Sequence, residues 1–396
     1  MKSLTYKHTI IAAYFGYITQ AIINNLAPLF FLIFRDELGI PLGRITLIVT
    51  INFLVQLVVD VIAGKYSDRI GYRKLIVIAH VAAALGLVCL AILPNVMRNS
   101  YLGILISVCI YAIGGGLTEV LISPIVEACP TDNKAAAMSL LHSFYCWGTV
   151  AVILLSTAFL HFFGKDNWTV LCFFWALVPV CNTVLFCLVP ISQLCEDEKG
   201  MTMLELLKTP LLWVLLVLMF ASGASEQAMS QWASAFAESG LKVSKTVGDI
   251  AGPCMFSVLM GLSRVLSSKI SDKKELLNPI SLSAVLCVAS YLIASLSASP
   301  VLSLVGCAVC GFSVGIMWPG VFSTASKAMK RGGSVMFALL AVAGDIGCSA
   351  GPTVVGLIAD ANDDNLKAGL LFGVAFPIIL IVFAAICKRM KKSRTE

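Results

Sequence analysis

Six ionisable side chains stand out inside long apolar stretches of this 396-residue chain: Asp60, Glu119, His142, Glu226, Arg264 and Asp345. Placing a charge at the centre of a bilayer costs about 2.5–3.5 kcal/mol by insertion scales, so such a group turns to a cavity or a partner. Glu119 follows Gly114-Gly115-Gly116, which lets neighbouring backbones come close and opens room beside the carboxyl. A carboxyl partly withdrawn from water is suited to taking up and releasing a proton. His142 lies about two turns into the next stretch, at a similar depth, so the two are expected to share a proton. Glu226 and Asp345 are further candidates for proton coupling.

Carboxamides and aromatics accompany these groups. Gln20 and Asn24 are spaced i, i+4 and lie on one helical face, with Asn25 beside them. Gln227 and Gln231 repeat that spacing next to Glu226, and Trp232 follows. Tyr145 and Trp147 sit within a turn or two of His142. Amides that hydrogen-bond hydroxyls and rings that stack on a sugar or aromatic ligand are what a small polar solute needs. These residues are therefore candidate solute contacts.

The elements that carry them are membrane spans. Hydrophobic residues make up 59% of the chain and charged residues 13%, with a mean hydropathy of +0.92. Apolar stretches read at 8–34, 44–64, 75–95, 101–128, 135–163, 168–190, 209–238, 248–270, 278–298, 300–326, 333–360 and 368–387. Each is near or above the ~20 residues that cross a bilayer as helix. No stretch alternates with the period of a barrel strand. The expected fold is an all-α integral membrane protein of twelve transmembrane helices. Twenty of the 28 Lys and Arg residues fall in segments on the amino-terminal side and seven on the other, with Arg264 inside a span, which puts both termini in the cytosol.

The polar stretch 191–208 divides the spans six and six. Residues 1–190 and 209–396 are expected as amino- and carboxy-terminal six-helix bundles, joined by a cytoplasmic linker at 191–208. An internal echo supports duplication: Asp60-Val-Ile-Ala-Gly-Lys-Tyr-Ser-Asp68 aligns with Arg264-Val-Leu-Ser-Ser-Lys-Ile-Ser-Asp272. The implied architecture is two bundles related by pseudo-two-fold symmetry, with a solute cavity between them. Asp60 and Arg264 occupy equivalent places and are expected to hold gates. The fourteen cysteines are scattered singly, and the one C-x-x-C, Cys307 and Cys310, lies inside a span, so neither a metal nor a redox site is expected. No phosphate-binding loop, dinucleotide fingerprint or zinc-protease motif occurs, and an enzyme is not expected.

Between the second and third spans runs Gly64-Lys65-Tyr66-Ser67-Asp68-Arg69-Ile70-Gly71-Tyr72-Arg73-Lys74. Gly64 and Gly71 permit a tight turn. Asp68 is suited to accept from a helix start, and Arg69, Arg73 and Lys74 are placed to pair with Glu127 at the inner end of span 4. Contacts of this kind break and reform when a transporter changes state.

The spacing G-x-x-x-D-R-x-G-x-R-K resembles the signature loop between helices 2 and 3 of the major facilitator superfamily. Within it, the chain is most similar to sugar–proton symporters of the fucose permease type. Asn24-Asn25-Leu26 resembles that family's first-helix N-N-L, although Pro28 stands where the family has an Asp. Gly116-Leu117-Thr118-Glu119 resembles its fourth-helix G-L-x-E, whose Glu belongs to the proton and substrate pathway. The segment Leu141–Gly148 resembles its fifth-helix motif, which implies that His142 and Tyr145 are ligand-facing. Glu226 resembles an acidic position of several seventh helices. Trp318-Pro319-Gly320-Val321-Phe322-Ser323 resembles the tenth-helix Y-P-x-x-F-S and makes Trp318 a ligand candidate.

The resemblance and the residues together imply a secondary active transporter. It is expected to import a sugar or similar small polar solute by proton-coupled symport and alternating access. The alternative is a proton-coupled antiporter exporting drugs or metabolites. The expected setting is the lipid bilayer of an inner or plasma membrane, as a monomer. No cofactor is expected beyond the proton as coupling ion, with sodium as the other candidate. No nucleic-acid partner is expected.

Overall fold

The computed structural model describes residues 4–130, 134–191, 201–271, 276–329 and 331–392, leaving aside the side chains at 65, 68, 69, 127, 134–139, 268–271, 333–334 and 392. The described residues are helices and short connections, with no strand. Lipid offers no hydrogen-bond partner to a backbone, so an apolar chain that crosses it satisfies its own amides along a helix. Among the described residues, twelve helical stretches are long and apolar enough to span. Spans 1–6 are Tyr6–Asp36, Leu42–Gly64, Tyr72–Val96, Ser100–Val126, Leu140–Phe163 and Lys165–Leu188. Spans 7–12 are Pro210–Gly240, Lys245–Ser267, Leu277–Leu296, Pro300–Ala328, Val335–Asp360 and Leu366–Lys391.

The chain divides into two compact units, Met1–Glu196 and Asp197–Glu396. The segment expected as a bare linker contains a short helix, Met203–Leu207, started by Thr202. The backbone N–H of Met201 beside it donates to the Arg331 carbonyl at 2.8 Å. Large apolar side chains such as Leu155 (60% exposed), Phe162 (78%) and Leu282 (72%) stand out from the units. Such a surface belongs against acyl chains, not water.

Several spans are broken where their polar residues lie. Span 1 is α-helical over Tyr6–Asn25, tightens to a 3-10 turn over Ala27–Phe30, then resumes at Phe31–Asp36. Pro28, which has no N–H, sits in that break. Span 7 is helical over Pro210–Ser230 and ends in a π turn at Phe236–Gly240. Span 10 breaks between Val314 and Met317, just before Trp318. Such irregular backbone survives at membrane depth only when protein or a water-lined cavity covers it.

The turn between spans 2 and 3 uses one glycine of the two expected. The helix beginning at Leu42 continues through Gly64 to Ile70, and a Cβ at Gly64 would meet nothing within 4 Å. Gly71 makes the turn, at φ 98°. Arg73 then reaches across to span 6. Its Nη1 donates to the carbonyls of Phe186 and Cys187, both at 2.9 Å, and its Nη2 to that of Val189 at 2.7 Å. A helix carboxy terminus leaves carbonyls unpaired and carries partial negative charge, which a guanidinium satisfies. Arg73 is therefore a cap on span 6. Lys74 is exposed. The side chains of Asp68, Arg69 and Glu127 lie outside the described residues.

A second polar knot ties spans 1, 3 and 6 together. His80, fully buried, has Nδ1 at 2.8 Å from the Ile76 carbonyl. Its Nε2 lies 2.8 Å from Asn182 Nδ2, which also donates to the Ala12 carbonyl at 3.0 Å. A carbonyl only accepts, so Nδ1 carries the proton and Nε2 accepts from the amide.

Candidate solute and proton sites

In the first unit, two polar helix faces meet. Gln20 and Asn24 lie one turn apart on span 1, and Asn52, Gln56 and Asp60 follow the same spacing on span 2. Gln56 donates from Nε2 to Asn24 Oδ1 at 2.9 Å, and Asn52 donates from Nδ2 to the same oxygen at 3.2 Å. Gln20 donates from Nε2 to Gln56 Oε1 at 2.8 Å and to Glu119 Oε2 on span 4 at 3.2 Å. The glycines of span 4 make room for this. A Cβ on Gly115 would lie 2.9 Å from the Gln56 amide oxygen, and one on Gly116 would lie 2.8 Å from Asp60 Oδ1. All four carboxamides are buried, while Glu119 is half-buried. Gln20 Oε1 and Asn52 Oδ1 are buried with no hydrogen-bond partner among the described residues. Buried polar atoms are normally paired, so two such oxygens in one cluster leave a hydrogen-bonding demand that this arrangement does not meet.

Span 5 contributes a neighbouring group. His142 is exposed, and its Nδ1 lies 3.4 Å from the hydroxyl of Tyr17, which lies 3.2 Å from Ser123 Oγ. The two rings meet edge-on at 5.4 Å. Thus Glu119 bonds to Gln20, while His142 bonds to Tyr17. Tyr145 and Thr149 share the His142 face, and Thr149 receives Asn25 Nδ2 at 3.2 Å. Asn25 also bonds the Ala21 carbonyl at 2.9 Å, so it ties span 1 to span 5, away from the Asn24 cluster. Trp147 is on the opposite side of span 5. It falls in line with Leu140 and Leu154, all three at least 40% exposed. That position makes Trp147 part of the apolar outer stripe, not the stacking platform expected.

In the second unit the central feature is an ion pair. Arg264 Nη2 lies 3.3 Å from Glu226 Oε2, with side chains 19% and 9% exposed. Gln227 donates from Nε2 to Glu226 Oε1 at 3.3 Å, and Gln231 donates from Nε2 to Gln227 Oε1 at 3.0 Å. Arg264, expected as a gate equivalent to Asp60, is thus the counter-ion of Glu226 within its own unit. Trp232 is fully buried, and its Nε1 donates to the Pro352 carbonyl at 2.9 Å. It packs span 7 against span 11 and is closed to a ligand. Asp345 is buried on span 11 directly after Gly344, where a Cβ would run into the Trp318 ring. Trp318 is half-buried over that glycine, 6.1 Å from the Phe322 ring. A further buried pair, Lys245 Nζ at 3.1 Å from Asp249 Oδ2 with Ser234 on Oδ1, was not anticipated.

The sequence reading also missed Asn52 and Gln56. Their i, i+4 spacing, continued by Asp60, is the signal that reveals them, although the flanking residues are uniformly apolar.

Twelve spans in two six-span units, with buried polar clusters facing inward and apolar side chains outward, define a polytopic membrane protein of the solute-transporter class. The Major Facilitator Superfamily model matches residues 10–352, and the chain belongs to that superfamily. It is a transport protein, not an enzyme. It is 23% identical over 340 residues to the membrane protein MosC of Rhizobium meliloti, covering 85% of this chain and 79% of MosC. Among solved structures it resembles a variant of the E. coli fucose:proton symporter FucP, with a TM-score of 0.64 over 96% of this chain and 98% of that one. A D-xylose-proton symporter gives a TM-score of 0.76 over 96% and 95%. A bacterial homologue of the human lysosomal transporter Spinster, inward-facing and occupied, also gives 0.76, over 98% and 97%. Each of the three is 14% identical to this chain and establishes the fold.

Proposed function

We propose that the protein is a proton-coupled symporter that imports a sugar or similar small polar solute by alternating access. The observation that carries this reading is the hydrogen bond from Gln20 to Glu119 inside a cluster of four carboxamides. A carboxyl there takes up a proton, and amides next to it recognise hydroxyls. Two of the similar folds are described as proton symporters of a sugar, which supports the same direction.

Glu119 is the leading proton carrier, with His142, Glu226 and Asp345 as further coupling groups. Gln20, Asn24, Tyr145, Gln227, Gln231 and Trp318 are the leading solute contacts. Asp60, with the loop from Asp68 to Lys74, serves the change of state. The protein works as a monomer in an inner or plasma membrane with both termini in the cytosol. It needs the coupling ion, a proton, and no organic cofactor.

The test has two stages. A thermal-shift screen of sugars, nucleosides, carboxylates and hydrophobic cations identifies the solute class, because a ligand that binds the folded state raises its melting temperature. Purified protein is then reconstituted in vesicles with a pH-sensitive dye inside. Symport acidifies the lumen as external solute enters. Alkalinisation on solute entry identifies an antiporter and overturns the reading. Entry that requires sodium and leaves lumen pH constant overturns the proton.

A further inference from the structure

We infer that the buried carboxamides Gln20, Gln56, Asn24 and Asn52 form a reversible hydrogen-bond relay that carries the protonation state of Glu119 to span 2 and to Asn24. Gln56 and Asn52 act in it as positioning residues. The inference rests on the reading of Glu119 as a proton carrier.

The relay is visible as four hydrogen bonds, with Gln20 donating twice near one end and Asn24 accepting twice near the other. Gln20 gives its Nε2 to Glu119 Oε2 and to Gln56 Oε1. Gln56 gives its own Nε2 to Asn24 Oδ1, and Asn52 gives its Nδ2 to that oxygen. An ionised carboxylate only accepts, so it demands the NH2 end of Gln20. That choice propagates. With Gln20 Nε2 turned to Glu119 and Gln56, Gln56 must offer its oxygen to Gln20 and its nitrogen to Asn24. Asn24 then accepts twice at Oδ1.

This arrangement leaves Gln20 Oε1 and Asn52 Oδ1 buried with no partner among the described residues. Both side chains are more than nine-tenths buried. A carboxamide is nearly symmetric in shape, so exchanging its O and N ends moves no heavy atom far. Reversing all four amides keeps all four contacts and inverts each donor and acceptor. Gln20 Oε1 then accepts from a Glu119 hydroxyl and from Gln56 Nε2. Gln56 Oε1 accepts from Asn24 Nδ2, which also donates to Asn52 Oδ1. Both orphan oxygens gain partners.

The carboxylate permits only the first direction. The acid, with one O–H and one carbonyl oxygen, permits both. When Glu119 binds a proton from the aqueous phase, an O–H bond forms and the relay is unlocked. When the proton returns to water, the relay is forced back. Asn24 thereby turns its nitrogen away from the relay in one state and its oxygen in the other, so its polarity towards a solute follows the proton. Asp60 from span 2 brings a carboxylate oxygen within 4.8 Å of one of Glu119, and Tyr17 from span 1 and His142 from span 5 pair with each other beside Ser123, one turn further along span 4. In the second unit, Gln231 and Gln227 make a similar chain to Glu226, but Arg264 holds that carboxylate as an acceptor.

The test is infrared difference spectroscopy on the full-length protein in lipid nanodiscs, between neutral and acidic pH, with isotope-labelled asparagine. Wild-type protein is expected to gain a carboxylic acid band that is absent in Glu119→Gln, together with a shift of asparagine side-chain amide bands. Gln56→Met cuts the relay in the middle. It is expected to keep the Glu119 acid band and lose the asparagine shift. Gln56→Asn, which keeps an amide but shortens its reach, is expected to do the same and serves if Gln56→Met fails to fold. An asparagine shift that survives in either folded variant overturns the relay alone. Absence from the wild type of an acid band that Glu119→Gln removes overturns both the relay and Glu119 as a proton carrier.

Discussion

Removing Arg264 tests whether the second unit is organised around its ion pair. Glu226 is 9% exposed and receives Arg264 at 3.3 Å and Gln227 at 3.3 Å. Arg264→Met deletes the guanidinium but fills most of its volume, leaving a buried carboxylate with one amide donor. At 3.3 Å, Coulomb's law with an effective dielectric of about 20 gives about 5 kcal/mol. Arg264 is 19% exposed, and water on that side screens the attraction, so the expected loss is about 3 kcal/mol. Glu226→Gln alone strands the guanidinium and is expected to cost about 2 kcal/mol. The double variant removes both charges, and about 2–3 kcal/mol of coupling should appear in the cycle. The assay is unfolding by sodium dodecyl sulfate titration in mixed micelles, followed by far-ultraviolet circular dichroism. Additive single-variant costs, with no recovery in the double variant, would refute the pairing.

Three further outcomes follow from the geometry. Arg73→Ala should cost about 1–2 kcal/mol in the same titration, because three charge-assisted bonds to the end of span 6 are lost from a partly exposed site. Arg73→Lys should recover little of it, since an ammonium cannot reproduce the planar fork. Gly116→Ala should cost about 1–3 kcal/mol through its clash with Asp60 and Gln56, whereas Gly64→Ala, with open space around it, should be neutral or slightly stabilising. Glu205 holds the start of helix Met203–Leu207, where the Thr202 backbone N–H donates to its carboxylate at 2.8 Å. That bond, with the Thr202 hydroxyl and weaker charges, holds its carboxyl below the ordinary 4.5. Its contribution is therefore complete above 4.5 and fades as pH falls through the lowered folded value. Exchange protection of residues 203–207, taken as the rate relative to the intrinsic amide rate at each pH, should fall at acidic pH in the wild type, and Glu205→Gln should lack that acid-dependent step.

The spans were legible in the sequence because bilayer thickness and the absence of backbone partners leave few alternatives for long apolar runs. Charged connectors and the split at 191–208 were equally plain. What stayed hidden depends on helix rotation. The spacing from Glu226 to Arg264 says nothing about which faces of spans 7 and 8 meet, and their pairing appears only in three dimensions. Trp147 was misread because its polar neighbours His142 and Tyr145 drew attention, although its seven-residue spacing from Leu140 and Leu154 already placed it with the outer stripe. Trp232 looked like a ligand contact because it follows Gln231, but the break at Gln231 turns its ring into the contact with Pro352. Pro28 is a signal for the break in span 1 that the sequence reading did not use, whereas nothing comparable marks the π turn at Phe236–Gly240.

Proton-driven accumulation in vesicles carrying Glu119→Gln probes the mechanism most directly. The amide is permanently neutral and can still bond Gln20, so solute recognition and exchange down a gradient should persist. Uphill accumulation driven by an imposed pH gradient should fall to the level of protein-free vesicles. Accumulation equal to wild type would contradict the assignment of Glu119 as the group through which protons drive transport.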